Sequence, residues 1–169
     1  MAFSSFKYRK NKFKSALFVA VQFILIVQYF ILPEALQFKF YTAIEFLGWL
    51  IAAAGLFFIL WATITLGRNI SPFPTPLPQA QLVTQGIFRH IRHPIYTGLM
   101  VAFTGISVAQ ESLTKLLFLG VFMLFFFLKS SFEEQLLLER FPEYKNYRDR
   151  TGRFLPKCTG SRDKTADPV

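Results

Sequence analysis

Cysteine occurs once in the 169 residues, at Cys158, and histidine twice, at His90 and His93. A single cysteine closes no internal disulfide, builds no thiolate cluster and says little about compartment. Two histidines are too few for the histidine-rich di-iron centres of membrane oxygenases. Together with Glu133 and Glu134 they would supply at most one mononuclear site, and Pro94, directly after His93, breaks the helical relation such a site would use; no metal is expected. No serine, histidine and acid arrangement is visible, so covalent catalysis has little support. Acidic residues are scarce too, ten against nineteen Lys and Arg, for a net charge of +9. That balance can signal nucleic acid, but no basic module stands clear of the apolar segments, so no nucleic acid partner is expected and anionic lipid headgroups suit the charge better. No internal repeat is present, and no small-residue cleavage site follows the first apolar run, so no signal peptide is read there.

Apolar residues are abundant: 53% of the chain is hydrophobic, 22 residues are Phe, and the mean hydropathy is +0.37. This is more apolar surface than one small soluble core hides, so the chain reads as an all-α integral membrane bundle. Four apolar stretches, Ser15 to Leu32, Ala43 to Leu66, Pro94 to Gln110 and Leu113 to Leu128, predict about four transmembrane helices. The last two hold 17 and 16 residues, at or just below the usual minimum of about 17. They must gain length from their flanks, sit in a thin bilayer or dip in as a pair. The Phe residues have a plain explanation in lipid-facing and helix-packing surfaces.

Lys and Arg resist translocation, and their distribution orients the chain. Five precede the first span, Arg68, Arg89 and Arg92 follow the second, and nine more run from Lys129 onward, whereas the opposite side holds only Lys39 and Lys115. Both termini and the loop from Gly67 to His93 are therefore placed in the cytoplasm. The chain divides into a basic interfacial segment, 1–14, two spans within 15–66, a core at 67–156 and a polar, disordered tail at 157–169. Proline at every second position from Pro72 to Pro78 excludes helix and favours a stiff, extended strap across the cytoplasmic face, either a cover over a site or a plain spacer. Pro142 is expected to end the last long helix, and Tyr144 and Tyr147 to lie on an interfacial helix.

The third and fourth spans form a helical hairpin in this reading. Counting from a turn near Glu111, His93 is 18 residues back and Lys129 is 18 residues forward, with Glu133 one turn, about 6 Å, further out. Arg92-His93-Pro94-Ile95-Tyr96-Thr97-Gly98 would thus meet Glu133-Glu134 at one membrane boundary. Pro94 marks the helix start, leaving the amides of Ile95 and Tyr96 free for an anion such as a ligand carboxylate. Glu133 or Glu134 suits an amine or ribose hydroxyls, and Phe88 and Tyr96 a flat ring or a cation. Those are the needs of S-adenosylmethionine. On spacing alone, an Arg-His-Pro anchor and two solvated acids are the alternative.

Leu82-Val83-Thr84, Gly86, Phe88, the Arg92 to Gly98 motif, Glu133-Glu134 and Phe141…Tyr144…Tyr147 resemble the isoprenylcysteine carboxyl methyltransferase and phospholipid methyltransferase superfamily of membrane enzymes. Leu66-Gly67-Arg68-Asn69 with the proline strap is similar to its bacterial members. The resemblance covers about residues 67 to 156 and implies an S-adenosylmethionine pocket at the cytoplasmic ends of the last two spans. Gln81, Leu82, Val83 and Phe88 would approach the cofactor from the loop, His93, Pro94, Ile95 and Tyr96 from the helix start, and Glu133 with Glu134 beside it from the fourth span. Gly98 is counted with them because it would allow close helix approach. Lys129 falls where the carboxyl methyltransferase branch places a substrate-contacting arginine, and with Arg92 it forms the candidate acceptor contact. A lysine gives looser carboxylate recognition than a planar guanidinium. Pro142, where the family usually has glycine, departs from the pattern at the local kink.

Methyl transfer from a sulfonium needs nucleophile, methyl carbon and sulfur nearly in line, so positioning and water exclusion are expected to matter more than a dedicated base. The expected acceptor is lipid-like and enters sideways from the bilayer, while the cofactor enters from the cytoplasm. Because Glu133, Glu134 and His93 are committed to the cofactor, the reading leans to carboxyl O-methylation of a prenylated, isoprenylcysteine-like acceptor. Phosphatidylethanolamine-type N-methylation and methylation of a small thiol or another lipid are the enzymatic alternatives. The rival of another class is a non-enzymatic membrane protein that binds anionic lipid and a partner.

Overall fold

The computed structural model describes residues 2–33, 36–37, 42–77 and 79–157, with side chains from Asn11 onward. Expectations placed on Lys39, Pro78 and the tail from Cys158 lie outside the described residues. The described residues form five α-helices, α1 Ala2–Ile31, α2 Thr42–Leu66, α3 Pro94–Ala109, α4 Leu113–Arg140 and α5 Tyr144–Arg150. Among the described residues, β-structure is limited to isolated bridges. The all-helical membrane bundle read from the sequence is the fold observed. α1, α2 and α4 are long and apolar enough to cross a membrane. α3 has 16 residues, about 24 Å of helix, short of a hydrocarbon core of about 30 Å. It is shielded by its neighbours, with eight of its residues buried.

Helix ends follow local chemistry. Nothing from Ala2 to Ile31 is Gly or Pro, and the backbone of the basic first segment runs unbroken into the span. α3 and α4 meet at a tight turn in which Glu111 takes φ 51° and the Ser112 hydroxyl caps α4 by accepting the Lys115 amide at 3.3 Å. α4 continues past its apolar run through Glu133 and Glu134 and stops at Phe141-Pro142, as proline requires.

Lipid tails are as apolar as Leu, so helix pairing in a bilayer depends on close packing and polar contacts more than on exclusion of water. α2 and α3 meet antiparallel through small residues. A Cβ on Gly48 would stand 2.4 Å from the Ala109 nitrogen, one on Gly55 2.4 Å from that of Ala102, and one on Gly105 2.2 Å from that of Ala52. Gly98 belongs to this seam, since a Cβ there would come within 2.7 Å of Ile59 Cγ1 and 2.8 Å of the Gly55 oxygen.

On its other side α3 packs through aromatics. Ring centroids of Tyr96 and Phe126 lie 5.0 Å apart, those of Phe126 and Phe122 5.9 Å, and those of Phe122 and Phe103 4.8 Å, each pair stacked. Tyr29 of α1 closes this column, donating its hydroxyl to the Phe103 carbonyl at 2.9 Å. The column runs from mid-bundle to His93, whose ring stacks on Tyr96 at 5.4 Å, and ties the candidate site to the aromatic core of the bundle.

Candidate active site

Three segments meet at the end of the bundle where α3 begins. The strap after α2 crosses this face as expected: the Ser15 and Thr75 hydroxyls share a hydrogen bond, Pro74 is buried, and the Pro72 carbonyl accepts from Lys129 Nζ at 3.1 Å. The loop then returns through a 3₁₀ turn, Gly86–Arg89. Gly86 needs to be glycine twice over, since its φ is +59° and a Cβ would stand 3.0 Å from Thr65.

His93 precedes the first turn of α3, with Pro94 at the start of the helix. The backbone around it is held by the segment that follows α5. The Arg92 amide donates to the Gly152 carbonyl at 2.9 Å, the His93 amide to that of Arg153 at 3.1 Å, and the Gly152 amide to that of His90 at 3.3 Å. Thr97 Oγ1 adds a bond to the Phe154 carbonyl at 2.8 Å.

The paired glutamates, adjacent on α4, have different surroundings. Glu134 is 3% exposed and accepts from Arg92 Nε at 2.9 Å, pairs with His93 Nε2 at 3.2 Å and accepts from Arg153 Nη2 at 3.2 Å. Arg92 Nη1 donates to the carbonyls of Arg148 and Thr151. Glu133 is held on one oxygen by the Tyr96 hydroxyl at 2.8 Å, stands 3.8 Å from His93 Nδ1, and keeps 26% of its side chain accessible.

Two cavities adjoin at Phe88, Arg92, His93 and Glu133. The inner one, about 290 Å³, lies within the bundle and reaches Gln22, Thr63, Ile95, Tyr96 and Lys129. The outer one, about 110 Å³, lies beneath the strap and reaches Gln81, Leu82, Val83, Leu137, Phe141 and Tyr144. Of the residues singled out from sequence, Gln81, Leu82, Val83, Phe88, Arg92, His93, Pro94, Ile95, Tyr96, Lys129 and Glu133 line one or both. Glu134 and Gly98 do not. Glu134 is enclosed by Arg92, His93 and Arg153, and Gly98 faces α2. Tyr96 lines the inner cavity but its faces are occupied, by the His93 and Phe126 rings and by Lys129 Nζ 5.2 Å from its centroid. Phe88 is the ring better placed to meet a flat ligand.

Lys129 is 1% exposed. Its ammonium donates to Gln22 Oε1 at 2.5 Å and to the Pro72 carbonyl, and among the described residues no carboxylate lies within ion-pair distance of it. A buried cation served by two neutral acceptors and the face of the Tyr96 ring retains a donor at the cavity wall.

The tyrosines of α5 turn inward, because spacing of three puts both on the face that α4 and the loop cover. Tyr147 donates to the Phe88 carbonyl at 2.6 Å and Tyr144 is 1% exposed. Burial pushes both phenols well above their ordinary pKa, so both remain protonated donors at neutral pH.

A model of the family described as phospholipid methyltransferase matches residues 43–144, more than half of the chain. The chain belongs to this family. A probable protein-S-isoprenylcysteine O-methyltransferase of Oryza sativa subsp. indica is 28% identical to it over 163 residues, 90% of this chain and 85% of that protein. Methanethiol S-methyltransferase 1 of Bradyrhizobium diazoefficiens is 28% identical over 127 residues, 68% of this chain and 41% of that protein. The protein is a membrane methyltransferase, the class the motifs implied.

The site also contains residues that sequence reading passed over. Gln22 had a signal, an amide within an apolar span, where polar groups carry a cost and usually a role. Arg153 and the return of residues 151–154 had none, since nothing in their pattern shows that they pair with His90 to His93.

Proposed function

We propose that this membrane methyltransferase carries a methyl group from S-adenosylmethionine to the carboxylate of an isoprenylcysteine-like acceptor. The observation that carries this reading is the buried ammonium of Lys129 at the wall of the inner cavity, which has no ion-pair partner among the described residues. It attracts an anion and repels an ammonium headgroup, which would in addition have to lose a proton before attack. A carboxylate is already ionised at neutral pH and needs no base.

The residues present fit S-adenosylmethionine. The accessible carboxylate of Glu133 suits an amine or a ribose diol. The apolar walls of the outer cavity, Leu82, Val83, Phe88 and Phe141, suit a purine, and the first turn of α3 suits a carboxylate. When bound, this cofactor supplies an electrophilic methyl group on a sulfonium. The chain's own part is to hold the acceptor beside Lys129, keep Glu133 oriented through Tyr96 and exclude water beneath the strap. His93 is stacked on Tyr96 and bonded to Glu134, which makes it an orienting group rather than a free base.

Access follows from how the helices pair. α2 lies on α3 and α1 leans on α4, with no α1–α2 interface of comparable extent among the described residues. Gln22 of α1 and Thr63 of α2 both line the inner cavity, so a lipid-like acceptor would slide in between α1 and α2 from the bilayer. The polar cofactor would enter at the strap, from the side that the distribution of basic residues favours as cytoplasmic. A small thiolate would meet the same ammonium, and it is the second reading.

The test is methyl transfer from labelled S-adenosylmethionine by the purified protein in bilayers, offered N-acetyl-S-farnesylcysteine, an alkyl thiol or phosphatidylethanolamine. The expected product is a base-labile methyl ester on the farnesylcysteine. Labelled thioether alone moves the assignment to the thiol, and labelled phosphatidylethanolamine alone overturns the anionic-acceptor reading.

A further inference from the structure

Among the described residues, one buried side-chain polar atom has no hydrogen-bond partner, the hydroxyl of Tyr144. The other tyrosines with described side chains are all paired: Tyr29 with the Phe103 carbonyl, Tyr96 with Glu133 and Tyr147 with the Phe88 carbonyl. Buried donors left unsatisfied are costly and rare. In a chain with 22 Phe, an apolar wall beside Phe141 has no packing need for an O–H. Tyr144 also lines the outer cavity, so the donor that lacks a partner belongs to a side chain on the wall of the space beneath the strap.

We propose that the Tyr144 hydroxyl is a hydrogen-bond donor to the adenosine half of the methyl donor, bound in the outer cavity. This rests on the S-adenosylmethionine reading above and adds a contact to it. The division of the site argues for adenosine over the amino-acid half. The reacting methyl must face the acceptor, and the acceptor is read by Lys129 in the inner cavity, so the sulfur lies near the boundary at His93 and Glu133. The first turn of α3, suited to a carboxylate, lines that inner cavity as well. The outer cavity is left for the nucleoside, whose ring nitrogens and ribose oxygens are acceptors for a neutral phenol. Burial holds Tyr144 in that protonated, donating form.

The test is Tyr144→Phe in lipid nanodiscs, read by calorimetric binding of S-adenosylhomocysteine and by the thermal midpoint without ligand, with Tyr147→Phe as the structural comparison. Tyr144→Phe is expected to leave the ligand-free midpoint unchanged or raised, because it removes a buried donor that had no partner, while the dissociation constant rises about three- to tenfold. 5′-Methylthioadenosine, which keeps the nucleoside without the amino acid, loses affinity by the same factor. Unchanged S-adenosylhomocysteine affinity overturns the proposal, as does a fall in the ligand-free midpoint matching that of Tyr147→Phe. An effect confined to S-adenosylhomocysteine overturns the adenosine placement. Wild-type protein that is folded and binds no S-adenosylhomocysteine overturns the cofactor reading itself.

Discussion

Glu134 and Arg92 form an ion pair, Oε1 to Nε 2.9 Å, in which neither side chain is as much as a tenth exposed. His93 and Arg153 complete the ring around the same carboxylate. Its neighbour Glu133 touches both cavities, so the two adjacent glutamates have different settings: one ties the motif together and the other faces the cavities.

That division predicts opposite phenotypes. Glu134→Ala strands two guanidinium groups and is expected to cost about 3–5 kcal/mol of stability, read as a lowered midpoint in detergent denaturation. Glu133→Gln keeps an acceptor for Tyr96 and is expected to leave the midpoint nearly unchanged while weakening S-adenosylhomocysteine binding about tenfold or more. Equal stability losses in the two variants would contradict the division.

Lys129→Met removes the charge offered to the acceptor. The KM for a farnesylcysteine acceptor is expected to rise by about tenfold or more, with S-adenosylhomocysteine affinity within about twofold of wild type. Lys129→Arg restores most of the activity. A variant that loses cofactor binding instead would place Lys129 in the wrong half of the site.

The identity of the acceptor sets the pH dependence. A carboxylate with an ordinary pKa of about 4 is fully ionised from about pH 6 to 7.5, so its methylation should be nearly flat across that window, whereas a free thiol with a pKa of about 8.5 gives a rate that climbs as the thiolate forms. Initial rates on the two acceptors across this range tell them apart.

The seam between α2 and α3 has no room for a side chain at Gly105, where a Cβ would meet Ala52 nitrogen at 2.2 Å, whereas a Cβ on Gly120 meets nothing within 4 Å. Gly105→Val is expected to destabilise the bundle by about 1–3 kcal/mol or more, and Gly120→Val to leave it close to wild type. Comparable midpoints for the two would mean that the seam is looser than its distances indicate.

Much of this architecture was legible in the sequence because it rests on local rules. The hairpin turn at Glu111, the helix start at Pro94, the stop at Pro142 and the strap follow from proline chemistry and apolar periodicity, and they suffice to bring His93 to Glu133. The seam was only half legible: Gly98 suggested a close approach, but Gly48, Ala52 and Gly55 look like ordinary residues of an apolar span until their partners on α3 are known. The different roles of Glu133 and Glu134 were not legible at all. They depend on a rotation of about 100° along α4 and on Arg153, whose position comes from the backbone bridge of Ile91 with Gly152. The inward face of α5 was hidden for a similar reason, since tyrosines three apart among basic residues fit an interface as well as a lid.

The most direct test of the account is calorimetric titration of S-adenosylmethionine and S-adenosylhomocysteine into the full chain in lipid nanodiscs, with Glu133→Gln alongside. Saturable binding at one site per chain by the wild type, lost in a variant that is equally well folded, is the predicted result. Folded wild-type protein that binds neither compound in a bilayer would contradict the claim that the two cavities at His93 and Glu133 form a methyl-donor site.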